Sequence, residues 1–168
     1  MPTIPLEALA SIHNGIPLRE RVVYRPGGAV RIVQMRDLDP ERGLNFATLT
    51  PTDLADVRVE AWLQAGDVLF SGKGSRFFAV ALGDAPRQTV ASPHLAILRI
   101  KDRALLAPEY LAWVINGEAA QAYLKGSATG AVVPTMVRCG RGYGSWRLYG
   151  VASAGAGCMC CCPGKVCT

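Results

Sequence analysis

Apolar residues recur with a readable period up to about residue 137 and lose it afterwards. Residues 5–14 (PLEALASIHN) put Leu6, Leu9 and Ala10 on one helical face and run into Gly15, which predicts a short helix closed by a glycine stop. Residues 29–35 (AVRIVQM), rich in β-branched side chains and preceded by Pro26-Gly27-Gly28, predict a strand, with a polar loop over 37–43. Thr50-Pro51-Thr52-Asp53 reads as a helix or turn start, and 68–71, 77–82 and 95–100 as three further strands separated by Gly- or Pro-containing breaks. A second helix is predicted over 108–125. Pro108 suits its first position and Glu109 the positive end of its dipole, while Leu111, Val114, Ile115, Ala119 and Ala122 form a core-facing stripe. Gly117 weakens this helix by roughly 1 kcal/mol relative to Ala, and Gly126 closes it. Tyr110, Trp113 and Tyr123 on the same helix are assigned to the core rather than to stacking platforms. Strands and helices do not alternate regularly, so the expected class is α+β: a mixed, strongly twisted sheet with a few flanking helices.

Charge and cysteine content sharpen the division. The formal charge of +5 suggests a nucleic-acid partner, but residues 1–137 hold 14 Lys+Arg against 13 Asp+Glu, a net +1. The remaining basic residues (Arg138, Arg141, Arg147, Lys165) lie in 138–168 with no acid among them. A basic surface on the body must therefore come from folding that gathers Arg and Lys. All six cysteines (Cys139, Cys158, Cys160, Cys161, Cys162, Cys167) also fall in 138–168. The cysteine-free body has no disulfide framework and suits a reducing cytoplasm. It has no secretory leader pattern, and no apolar run reaches the roughly 18–20 residues that a bilayer span needs. We therefore divide the chain into a domain over 1–137 and a Cys/Gly-rich tail over 138–168, expected to be disordered or out of frame. Consecutive Cys160, Cys161 and Cys162, without two spaced CxxC pairs, do not specify a metal site. Gly, Ala, Arg and Cys are what GC-rich DNA yields in a shifted frame near Val137; sequencing the gene across the Met136 codon tests this, and an intact frame defeats it.

Catalytic chemistry is not specified. Residues 66–75 (GDVLFSGKGS) place five residues between Gly66 and Gly72 and follow Lys73 with Gly74, so the phosphate-cradling spacing is missing and a glycine-permitted hairpin is the plainer reading. His13 and His94 belong to no base–nucleophile arrangement, and His13 is expected at a helix end in a capping or surface role. Asp37 and Asp39 flank Leu38 without a third ligand, which is more often a polar turn than a metal site. No Gly-rich cofactor loop follows a first strand. The chain is read as a non-enzyme with no cofactor and no metal.

In order along the chain, several segments resemble the target-recognition domain of the DNA-specificity (S) subunit of type I restriction–modification systems. They are Leu6-Glu7-Ala8-Leu9 leading to Gly15, residues 30–38 (VRIVQMRDL), 63–75 (LQAGDVLFSGKGS), 92–99 (SPHLAILR), 108–124 (PEYLAWVINGEAAQAYL) and 126–136 (GSATGAVVPTM). The Gly-Asp-Val-Leu-Phe run and its Gly-rich loop are the most specific piece. Family members usually carry two such domains, each followed by a long helix, and the helices pair to hold the modification subunits. This chain has one such domain, and past Met136 it turns into the Cys/Gly-rich tail. The resemblance implies a DNA methylase specificity domain-like fold and a non-catalytic reader of one half of a bipartite double-stranded DNA target. It implies as partners a methyltransferase (modification) subunit, which supplies S-adenosylmethionine and adenine methylation, a motor–nuclease subunit, and, as a further option, a second specificity chain.

Specificity in such a reader comes from side chains that reach base edges, and register from cations, hydroxyls and backbone N–H groups on phosphates. Alternation along 30–36 puts Val30, Ile32, Gln34 and Arg36 on one side, and Gln34 and Arg36 carry the donor and acceptor sets of adenine and guanine readers. Lys73, Ser75 and Arg76, on a loop whose glycines allow close approach, are base or phosphate candidates. Lys125, Ser127 and Thr129, just past the second helix, are phosphate candidates. The competing reading is a protein-interaction fragment that docks on a methyltransferase or second specificity chain without reading DNA; co-purification with the modification subunit in the absence of DNA would favour it. A small hydrolase or nuclease using Asp37, Asp39 or His94 comes third.

Overall fold

The computed structural model describes residues 4–17, 24–54, 57–72, 77–84, 88–127 and 147–148. In chain order these form strand β1 (Ile4–Pro5), helix α1 (Leu6–Leu9), β2 (Ala10–Asn14), β3 (Val30–Val33), β4 (Leu38–Asp39), β5 (Gly43–Leu44), β6 (Thr50–Thr52), β7 (Asp67–Ser71), β8 (Phe78–Ala81), β9 (Thr89–Ala91), β10 (Leu95–Ile100), helices α2 (Pro108–Asn116) and α3 (Glu118–Ser127), and β11 (Arg147–Leu148). Short 3-10 turns lie at Met35–Asp37, Phe46–Thr48 and Val59–Ala61. The class is α+β, with several sheets and few helices.

A four-stranded antiparallel sheet in the order β2-β10-β7-β8 forms the centre. Every residue of β7 is buried because both faces of this sheet are covered. Side chains alternate across a strand. Val68, Phe70, Ala79, Leu98 and Ile100 therefore meet Leu6, Leu111, Ala112, Ile115 and Leu124 of the helices on one face. On the other, Leu69, Val80, Leu95 and Ile97 meet Val33, Leu38, Leu49, Leu63 and Ala91. That second layer is a three-stranded sheet, β6-β3-β9, in which β3 runs antiparallel to β6 and parallel to β9. Its outer face carries Val30, Ile32 and Val90, packed with Ile16, Leu54, Val57, Ala61 and Trp62.

Several expectations change. The helix predicted over 5–14 is one turn long, and Ala10–Asn14 is a strand paired along its whole length with β10. Ala10 and Ile12 satisfy an alternating pattern as well as a helical one, and the five cross-strand partners on β10 decide between them. Gly15 therefore ends a strand, and His13 sits half-buried within β2 with Nε2 3.0 Å from Ser11 Oγ, not at a helix end. Thr50–Thr52 is a strand rather than a helix start, because its backbone completes β3. The strand expected over 29–35 stops at Val33.

The second helix is two helices. At Gly117 the backbone is extended (φ −67°, ψ 153°), and α3 continues through Gly126 to Ser127. The break lets Asn116 turn its amide onto the edge strand β8: its Oδ1 accepts from Ala79 N–H and its Nδ2 donates to Ala79 C=O, both at 2.8 Å. This satisfies one residue of an otherwise open sheet edge. Asn116→Ala should cost about 2 kcal/mol in urea-induced unfolding, since it strands one donor and one acceptor; an unchanged midpoint would remove this role from Asn116. The break also resets the helical phase. Leu111, Ile115 and Leu124 are buried, whereas Ala119 and Ala122 of the expected stripe are exposed. Tyr110, Trp113 and Tyr123 are exposed too (56%, 65% and 41%), correcting their assignment to the core; Tyr110 and Trp113 stack on each other at 5.8 Å.

Of the tail, Arg147–Leu148 pair antiparallel with Ile4–Pro5, and the rest of 138–168 lies outside the described residues. Among the described residues no helix is long and apolar enough to cross a membrane.

Candidate nucleic-acid interface

The candidate site begins where β3 stops. Gln34 is still extended (φ −112°, ψ 168°), and Met35–Asp37 then coil into a single 3-10 turn. Asp37 fixes that turn from within. Its side chain is buried, its Oδ2 accepts the Gln34 backbone N–H at 2.8 Å, and its own N–H donates to the Gln34 carbonyl at 3.0 Å. Its carbonyl accepts the Asn45 N–H at 2.8 Å, which ties down the β4–β5 excursion. The effect is local: Met35 packs against the core while Arg36 is turned outward, its side chain 66% exposed.

Thr50 lies beside this turn. It opens β6, opposite Ile32 in the β3–β6 register, and is buried. Its Oγ1 accepts from Gln34 Nε2 at 3.3 Å and from Arg36 Nη2 at 3.0 Å. Arg36 Nε lies 3.8 Å from Asp37 Oδ1, which has no hydrogen-bond partner. Two long polar side chains, one of them cationic, are thus held side by side on one hydroxyl above a buried carboxylate. The arrangement can present an amide and a guanidinium together to a flat polar edge.

The other candidates are placed differently. Lys125 is exposed in the last turn of α3, and Ser127 is the final residue of that helix. α3 packs through Leu124 on the helical face of the central sheet, whereas Met35 packs on the opposite face. Lys125 and Arg36 therefore belong to different layers, and a surface holding both must wrap an edge of the sheet. Lys73, Ser75, Arg76 and Thr129 lie outside the described residues. Their flanks are informative: Ser71 pairs with Phe78, so 72–77 connects an antiparallel hairpin. Gly66, the first glycine of that segment, has φ +80° and forms the turn before β7.

Of the residues offered for other chemistry, Asp37 and Asp39 have structural roles. Asp39 Oδ1 accepts the N–H groups of Glu41 and Arg42, closing the polar turn. His94 is exposed in the turn before β10. The shortest ion pair among the described residues is one the sequence did not single out. Arg99 donates to both oxygens of buried Asp67, Nε to Oδ1 and Nη2 to Oδ2 at 2.8 Å each, and Nη2 also donates to the Trp62 carbonyl. The hydrogen bond to Asp67 raises the Arg99 pKa above its ordinary value, against the lowering effect of burial. Its contribution to stability is fully present below the ordinary arginine value and is lost only above the raised one, so it holds throughout the neutral range.

No protein-family model and no curated protein matches the sequence. The fold is similar to that of a type I restriction–modification system S subunit from M. genitalium, with a TM-score of 0.50 and 12% sequence identity. The match covers 81% of this chain and 31% of that one, so the chain spans about a third of the S subunit's length.

Proposed function

We propose that the chain is a DNA-recognition module of the type I specificity class, reading one short half of a bipartite duplex target without catalytic activity of its own. The observation that carries the reading is the likeness of fold to an S subunit over 81% of the chain. The Gln34–Arg36–Thr50 cluster supports it from the chemistry side, as it holds the side-chain types that read purine edges in the major groove. In this reading residues 1–137 form the recognition domain, located in the cytoplasm. A methyltransferase subunit and a motor–nuclease subunit supply the catalysis, and a second specificity chain is a further candidate partner. Lys73, Ser75 and Arg76 are proposed to contact phosphates or bases, Lys125, Ser127 and Thr129 phosphates, and Gln34 and Arg36 the bases.

The test is binding of the full chain to duplex DNA as salt is raised. Affinity should fall steeply and log-linearly with salt, through counterion release, with a residual preference for one short motif. Lys73→Glu with Arg76→Glu should weaken binding to all duplexes alike and reduce the salt slope by about one for each phosphate that is no longer neutralised. Absence of salt-dependent affinity for duplex in the wild-type chain would overturn the reading.

A further inference from the structure

We infer that Thr50 is a positioning residue for base readout: its hydroxyl presets Gln34 and Arg36 as a paired reader of purine edges. This rests on the DNA-recognition reading and adds to it a residue that touches no base itself. Thr50 accepts from both side chains, at 3.3 Å from Gln34 Nε2 and 3.0 Å from Arg36 Nη2, and it is buried while Gln34 is half-buried and Arg36 is exposed. One hydroxyl oxygen therefore fixes two flexible side chains at their polar ends.

What each side chain has left over is the decisive point. Gln34 uses one amide N–H on Thr50 and keeps its second N–H, while its Oε1, which faces the Asp37 backbone N–H across the turn, keeps a second lone pair. Those are the donor and acceptor that adenine N7 and N6 require. Arg36 uses one Nη2 N–H on Thr50 and directs Nε toward Asp37 Oδ1. It retains the Nη1 pair and the second Nη2 N–H, three donors that include the two parallel ones guanine O6 and N7 require. Asp37 Oδ1, buried with no hydrogen-bond partner and 3.8 Å from Arg36 Nε, supplies the opposing charge that keeps the guanidinium over this spot. Without the Thr50 hydroxyl both side chains regain their rotamers, and the ordering cost moves into the binding step.

The experiment selects preferred duplexes from a randomised double-stranded library with the full wild-type chain. It then measures affinity for the selected duplex and for its single-base-pair variants. Thr50→Val, close in shape but lacking the hydroxyl, should lose about tenfold in discrimination at one or two purine positions, with affinity for unselected duplex unchanged. Thr50→Ser should restore the discrimination. In a Gln34→Leu background, Thr50→Val should add no further loss at the position that Gln34 reads, which separates positioning from a general loss of structure. Equal discrimination by wild type and Thr50→Val overturns the assignment of Thr50 alone. So does a parallel loss of selected and unselected binding that Thr50→Ser does not repair. A wild-type chain that binds no duplex overturns the DNA-recognition reading and this assignment together.

Discussion

Arg99→Leu should destabilise the chain by about 3–5 kcal/mol, the usual cost of removing one partner from a buried ion pair. The physical reason is the state in which Asp67 is left. Its carboxylate is fully buried, and with Arg99 gone it retains, among the described residues, only the Gln64 N–H at 2.8 Å. The Trp62 carbonyl loses its donor as well. Asp67 opens the central strand β7 and Arg99 lies opposite it on β10, so the damage falls on the register of the strand pair that carries most of the core. Urea-induced unfolding followed by circular dichroism measures the loss. The double variant Asp67→Leu, Arg99→Leu should recover a large part of it, because no uncompensated charge then remains. A loss below about 1 kcal/mol for Arg99→Leu, the range of an exposed pair, would mean that solvent reaches the carboxylate and that the pair is not part of the core.

That pair also marks where the sequence could be read and where it could not. Residues 95–100 were legible as a strand because a short apolar run, Leu95–Leu98 with Ile100, follows a Pro-containing break, and the structure buries that run on both faces. The α+β class followed from the irregular order of such segments. The failures occur where a local pattern admits two answers and a distant partner chooses. Ala10–Asn14 became a strand because β10 pairs with it from some 88 residues away, as in the Ser11–Arg99 contact. At Gly117 the weak point was visible, but the acceptor and donor on Ala79 that turned it into a break were not. The candidate site shows the same limit. Gln34 and Arg36 were identifiable by chemistry, as residues whose donors and acceptors suit base edges. Thr50, which brings them together, is 16 and 14 residues away, and only the β3–β6 register puts it beside them. Thr-Pro-Thr reads as turn chemistry in isolation. Nothing local announced it as the organiser of a polar cluster.

Gly15→Ala should be among the most damaging single-carbon changes in the chain. A Cβ at Gly15 would overlap the Ser92 carbonyl oxygen and stand 2.5 Å from its carbon and 2.7 Å from the Ala91 oxygen. All three are backbone atoms, so no side-chain rotation relieves the clash; the β2 end and the β9–β10 connection must move apart. Two hydrogen bonds cross that contact, Gly15 N–H to the Leu95 carbonyl at 3.0 Å and Ile16 N–H to the Ala91 carbonyl at 2.9 Å. The first extends the β2–β10 pairing within the four-stranded sheet, and the second joins that sheet to β9 of the three-stranded one. Overpacking together with the weakening of both bonds amounts to about 3–4 kcal/mol. The expected outcome is a sharply lowered urea midpoint or loss of soluble protein. Gly83→Ala, at an exposed glycine with nothing within 4 Å of a built Cβ, is the matched control and should leave the midpoint unchanged. Because Ser92 N–H also donates to the Val33 carbonyl at 2.9 Å, a shift at Gly15 reaches the end of β3 directly. On the proposed DNA-recognition reading, a destabilised but folded Gly15→Ala chain should therefore also lose base-pair discrimination through Gln34 and Arg36. Retained stability in that variant would show that the two sheets are not held together at this contact.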